Sequence, residues 1–182
     1  MADEKTNPMR ELVVEKLTLN MGVGETGDKL EKAKILLNRI SDTKVVQTFS
    51  KKRVPTWGLR AGVPIGVKTT IRGQRAYDLL KRLFQTVENR IHPKNFDSSG
   101  NLSFGIKEYI HIPGVQYDPS LGIVGLDVCV TLKRKGGNRI KTKLYRPAKI
   151  GKKHRIKTEE CMEFFKDKFG IEIGEKKIRT YF

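Results

Sequence analysis

"PIGVKTTIRGQRAYDLLKRLFQTVENRI", residues Pro64 to Ile91, changes its hydrophobic period in the middle. From Pro64 to Arg72 the chain alternates, with Ile65, Val67, Thr69 and Ile71 on one side and Lys68, Thr70 and Arg72 on the other. That period of two predicts a half-buried strand. From Gln74 to Ile91 the apolar residues Ala76, Leu80, Leu83, Phe84, Val87 and Ile91 recur at helical spacing. A strand with one wet face, followed directly by an amphipathic helix, is the unit of a sheet covered by helices on one side only.

The same grammar runs outward in both directions. Leu12 to Met21 alternates, with Lys16, Thr18 and Asn20 on its polar side, and Asp28 to Ile40 follows as a helix that Asp28 is expected to cap. Lys44 to Phe49 reads as a short strand. Downstream, Leu102 to Ile112 and Ile123 to Arg134 read as two long strands, the first with Lys107, Tyr109 and His111 on its wet face. A last helix spans Thr158 to Phe169, with Thr158 as its N-cap and Cys161, Phe164, Phe165 and Phe169 facing inward. Hairpin-like neighbours and one wet face per strand predict an α+β fold, a mainly antiparallel sheet with helices on one face and an open basic face.

The chain has 182 residues, 37% of them hydrophobic, which fits a single domain over 1–182. No apolar run reaches the length of a membrane span and the opening residues have no signal-peptide core, so a cytoplasmic location with no membrane partner is expected. Cys129 and Cys161 form no disulfide framework and are expected as reduced, buried or half-buried thiols.

Charge narrows the function. The net charge is +17, and it comes from two windows. Thr43 to Tyr77 holds eight bases and no acid; Val128 to Thr158 holds twelve bases and no acid, and includes a basic loop at about 135–157. Cations concentrated in this way are the footprint of a polyanion-binding surface, nucleic acid before acidic membrane or acidic protein. The only tryptophan, Trp57, stands in one of these windows, in a loop punctuated by Pro55, Gly58, Gly62 and Pro64. An aromatic on a basic loop suits a partner with flat faces and negative charge.

Enzyme chemistry has one foothold. Gly22, Gly24 and Gly27 follow a strand and precede a helix, as in a dinucleotide-binding turn. Glu25 and Asp28 place carboxylates where phosphates would sit, and the later strands arrive in hairpins, so a tight turn is the better reading. His92, His111 and His154 lie far apart with no partner at ligand spacing, so no metal, cofactor or catalytic residue is expected. A dinucleotide-dependent enzyme and a free-standing RNA chaperone or DNA-binding module remain the alternatives.

"LTLNMGVGE" (Leu17 to Glu25), "TWGLRAGVPIGVKTTIRG" (Thr56 to Gly73) and "FGIKEYIHIPGVQYDPSLGIVGLDVCVTLKR" (Phe104 to Arg134) closely resemble the universal large-subunit ribosomal protein L-five family. "RPAKIGKKHRI" resembles its archaeal and eukaryotic branch. The resemblance implies a non-enzymatic, five-stranded protein of the large ribosomal subunit. As implied partners it brings 5S rRNA, neighbouring large-subunit rRNA, P-site tRNA reached by a long loop, and a small-subunit head protein. It carries 5S rRNA contacts onto Asn20, Trp57 and Thr70, with Lys68 and Arg72 supplying charge beside them. The family's usual Gln early in the second strand falls on Thr43 here, which leaves open whether Gln47 takes its place. The tRNA loop corresponds to Lys51, Lys52, Arg53, Val54, Pro55, Thr56 and Arg60, with Trp57 on its returning limb. Lys107, Lys133, Lys135, Arg139, Lys141 and Arg146 are the candidates for other rRNA.

Overall fold

The structure, a computed structural model, describes residues 7–24, 27–136, 139–151 and 154–174; Glu25, Lys152 and Lys153 fall outside them. Five strands form one sheet in the order β2-β3-β1-β6-β5: β1 Leu12–Gly22, β2 Val46–Phe49, β3 Pro64–Ile71, β5 Leu102–Ile106 and β6 Leu126–Arg134. Every pairing in it is antiparallel. Helices α1 Asp28–Ser41, α2 Gln74–Thr86 and α4 Thr158–Phe169 bury their apolar faces against one side, and α3 Arg139–Thr142 is a single exposed turn. Two short strands, β4 Arg90–Ile91 and β7 Glu172–Ile173, pair in parallel away from the main sheet.

The period change at Gly73 does what the sequence predicts. Val67 and Ile71 of β3 enter the same core as Leu17, Leu19 and Met21 of β1 and Val128 and Val130 of β6. Onto these pack Leu36, Leu37 and Ile40 of α1, Leu80, Leu83 and Phe84 of α2, and Cys161 and Phe165 of α4. Phe84 joins three elements, stacked on Phe104 at 5.5 Å and edge-on to Phe165 at 5.9 Å. Pairing of β1 with β6 slips between Val14 and Lys16, and the Val14 N–H there donates to the Tyr77 hydroxyl at 2.9 Å. A helix side chain thus satisfies the backbone donor next to the bulge.

Four expectations are corrected. The helix from Gln74 stops at Thr86 because Glu88 and Asn89 turn left-handed, with φ of 58° and 54°, and send Ile91 back to pair with Ile173. The strand from Leu102 ends at Ile106, and a 3₁₀ turn over Tyr109–His111 shifts the phase. Tyr109 is therefore 0% exposed rather than on the wet face, and its hydroxyl accepts the Asp118 N–H at 3.3 Å. Neither predicted cap operates: Asp28 and Thr158 are the first helical residues, preceded by Gly27 and Lys157, with no side-chain cap bond. Cys129 is exposed, since it sits on the uncovered side of β6, while Cys161 is buried and its thiol donates to the Gly100 carbonyl at 3.1 Å.

Candidate nucleic-acid interface

Directly opposed residues in an antiparallel sheet point to the same face, so the register lays out the uncovered surface row by row. Thr48, Gly66 and Gly22 form one row; Val46, Lys68, Asn20, Asp127 and Gly105 the next; Thr70, Thr18, Cys129 and Ser103 the third. Lys16 beside Thr131 continues it. Most of these side chains are short and polar, which makes the face flat enough for a sugar-phosphate backbone to approach closely. Longer cations rise around it: Lys68 and Lys16 within the rows, Arg72 and Lys107 just past the ends of β3 and β5, and Lys133 opposite Val13. Asn20 is half-buried between Lys68 and the carboxylate of Asp127, which breaks the positive field at the centre. Partial desolvation against the sheet, then the neighbouring Asp127, pushes the exposed Cys129 thiol above its ordinary range.

Asn20, Lys68, Thr70 and Arg72 are thus brought together. Thr43 and Gln47 are not: Gln47 stands opposite the buried Val67, on the helix side of edge strand β2. The Thr43 hydroxyl lies 2.7 Å from that of buried Thr69, facing the same side.

Beyond β2 and β3 the chain continues as a hairpin. Ser50 N–H donates to Val63 O at 2.8 Å and Gly62 N–H to Ser50 O at 2.9 Å; further out, Val54 and Leu59 exchange bonds of 2.9 and 3.1 Å. A 3₁₀ turn, Pro55–Trp57, forms the tip, and Gly58 closes it at φ 65°, a conformation that favours glycine. Trp57 is therefore in the tip itself, not on the returning limb, and it is 76% exposed. Lys51, Lys52, Arg53, Pro55, Thr56 and Arg60 are exposed around it, with Val54 half-buried.

The second basic window leaves β6 as an arch. Arg134 fixes its base: Nη2 meets Glu160 Oε2 at 2.6 Å, Nε donates to His154 O at 3.3 Å and Nη1 to Arg10 O at 3.1 Å. Lys135, a candidate rRNA contact, is exposed and pairs with the Glu11 carboxylate, which its hydrogen bond and charge keep below the usual carboxylate range. Arg139, Lys141 and Arg146 are exposed on the arch, and Ala148 N–H donates to Ile140 O at 3.2 Å to close it. Leu144 and Tyr145 also stand in solvent there, with the Arg146 guanidinium 5.2 Å from the Tyr145 ring centre. This pair was missed in the sequence, where "LYR" inside a run of bases was its only signal.

The described start of the glycine turn after β1 is tied to β3. Val23 and Gly24 N–H groups both donate to Ile65 O, at 3.0 and 2.9 Å, and β1 pairs antiparallel with β3, not through a parallel crossover. Gly24 takes φ 77°, so the turn reading of the glycines holds. Among the described residues no three His, Cys, Asp or Glu side chains are placed to hold a metal ion, and no helix is long and apolar enough to cross a membrane.

A sheet with helices on one side, a flat polar face on the other and two cationic projections defines a protein shaped to lie against a folded polyanion. Comparison with known sequences names the class. The family profile of ribosomal protein L5 matches residues 7–60, and the profile of the same ribosomal family's C-terminus matches residues 64–164. Similar proteins include the "Large ribosomal subunit protein uL5" of Sulfurisphaera tokodaii, 46% identical over 96% of this chain and 99% of that protein. Those of the same name from Nanoarchaeum equitans and Methanosphaera stadtmanae are 45% and 44% identical, each over 92% of this chain and 98% and 99% of theirs. The chain belongs to the ribosomal protein L5 family.

Proposed function

We propose that this chain is a structural, non-enzymatic component of the large subunit of the cytoplasmic ribosome, and that it holds 5S rRNA against the uncovered face of its sheet. The row Lys68–Asn20–Asp127 beside Thr70–Thr18–Cys129–Ser103 carries this reading, because it offers amide, hydroxyl and ammonium groups to sugars and phosphates on a surface that no helix among the described residues covers. RNA lying there passes edge strand β2 on its way to the hairpin. Gln47 meets it from the edge, Trp57 packs on a ribose or base, and Lys68 and Arg72 neutralise phosphates. Thr43 contributes least, its hydroxyl being engaged by Thr69.

The remaining hairpin residues, Lys51 to Thr56 and Arg60, reach P-site tRNA. Lys107, Lys133, Lys135, Arg139, Lys141 and Arg146 meet neighbouring large-subunit rRNA, and a small-subunit head protein is the protein partner. The whole chain acts as one rRNA-binding unit.

Cys129 supplies the test, since it lies on the proposed 5S surface while Cys161 is buried. Full-length protein is treated with iodoacetamide at mildly alkaline pH, with and without 5S rRNA, and modification is read by mass spectrometry. Bound 5S rRNA is expected to protect Cys129, and Asn20→Ala and Thr70→Ala each to weaken binding by about 1–3 kcal/mol with little change in Tm. Equal alkylation of Cys129 in a complex shown to have formed places the RNA elsewhere.

A further inference from the structure

Between the arch and the end of the sheet lies a cleft of about 580 Å³, which shares Lys133 and Lys141 with the rRNA contacts proposed above. Its apolar lining comes from Leu132, Pro147, Ala148, Ile150 and Ile156, beside polar Ser99, Asn101 and Thr131. Its rim carries Lys133, Lys141, Lys149, His154 and Arg155, against the carboxylate of Glu15. The volume suits one nucleotide or a little more, and it is far too small for a double helix. Arg134 lines the back, but its guanidinium is already committed to Glu160, His154 and Arg10, so it keeps the wall in place and leaves recognition to the lysines. A few residues away the exposed Tyr145 ring and Leu144 form an apolar step with the Arg146 cation beside them.

We propose that this cleft takes an unpaired nucleotide extruded from an RNA loop. Its base lies on the Pro147–Ala148–Ile150 floor, its phosphates meet Lys141 and Lys149, and the adjoining nucleotide stacks on Tyr145. Apolar floor, cationic rim and a neighbouring aromatic step are the three parts of a single-strand site, in which stacking supplies contact that tolerates any base and the cations hold the backbone. The inference rests on the rRNA-binding reading above and adds to it a second RNA contact, for single-stranded and not for structured RNA.

The probe is fluorescein-labelled octauridylate, titrated by anisotropy into the full chain at low salt. Saturable binding is expected. Ala148→Trp fills the cleft without altering charge and, at an exposed position, is expected to leave Tm near that of the parent. It should weaken octauridylate binding at least about tenfold, the worth of roughly one stacked base. Lys149→Ala, also exposed, should weaken binding and reduce the slope of log affinity against log salt by about one. A blunt RNA duplex of the same length should bind more weakly than the single strand. Unchanged octauridylate affinity in Ala148→Trp and Lys149→Ala overturns the proposal, as does displacement by inorganic polyphosphate at equal charge concentration, which would mean charge alone. The Cys129 protection assay reads the sheet face separately: its failure sinks the 5S placement, whereas unchanged binding in the cleft variants sinks this inference alone.

Discussion

Trp57→Ala separates an RNA-contacting tip from a core residue sharply, because the structure fixes what the protein itself loses. Burying a tryptophan fully removes about 150–250 Å² from water. With 76% of Trp57 exposed, roughly a quarter of that, about 50 Å², is covered by the hairpin. At about 25 cal/mol per Å² the substitution costs the free protein about 1 kcal/mol, against 3–5 kcal/mol for a core tryptophan. On RNA the balance reverses: an aromatic that stacks on one base or ribose contributes about 1–3 kcal/mol, so 5S rRNA affinity should fall roughly five- to 150-fold. Trp57 is the only tryptophan, so intrinsic fluorescence reports the tip and nothing else. In free protein its emission should be red-shifted and open to acrylamide quenching; 5S rRNA should shift it to the blue or quench it and shield it from acrylamide. Urea unfolding of parent and variant gives the stability difference, and filter binding gives the affinity difference. A stability loss of about 3 kcal/mol or more, or 5S rRNA binding that neither alters Trp57 emission nor suffers from its removal, refutes the reasoning.

Other outcomes follow from single features of the backbone and core. A Cβ on Gly66 would lie 2.7 Å from the Met21 carbonyl oxygen and 3.0 Å from Thr48 Oγ1, so Gly66→Ala must push β3 away from its neighbours and should cost about 1–3 kcal/mol in urea unfolding; an unchanged midpoint counts against the strand packing. Gly24 has open space around it but φ 77°, so Gly24→Val should lose about 1–2 kcal/mol through backbone strain and Gly24→Asn less; equal losses would point to sterics instead. Burial pushes the Cys161 thiol up to about 12 from an ordinary 9.0, so the unfolded chain gives up this proton first as pH rises. The stabilisation is complete below pH 9 and is lost as pH rises from 9 toward 12, and Cys161→Ala should flatten that part of the stability–pH curve. If bases of both windows meet phosphates, log affinity for 5S rRNA should fall with log salt at a slope of several units, and an affinity indifferent to salt would sink the electrostatic account.

Wherever a property follows from the local repeat of side chains, the sequence alone settles it. Alternation in β1, β3 and β6 and the stripes of α1, α2 and α4 tell which residues enter the core, because the pleat and the helix turn impose periods of two and 3.6 on any buried face. The same alternation puts Asn20, Lys68 and Thr70 on the open side, and the two acid-free windows mark where the cations gather.

Tertiary structure alone decides what depends on where a repeat is interrupted and on which strand lies next to which. Tyr109 enters the core because a 3₁₀ turn after Ile106 shifts the phase of the alternation, and α2 stops at Thr86 because β7, more than eighty residues on, offers Ile91 a partner. Gln47 turns away from Asn20 because its register on β3 sets it opposite Val67 and not Lys68, a difference of one residue that reverses the face. The cleft beneath the arch exists because Arg134 ties Glu160, His154 and Arg10 to one point. Residues far apart in the chain meet there, and no local period records the distance between them.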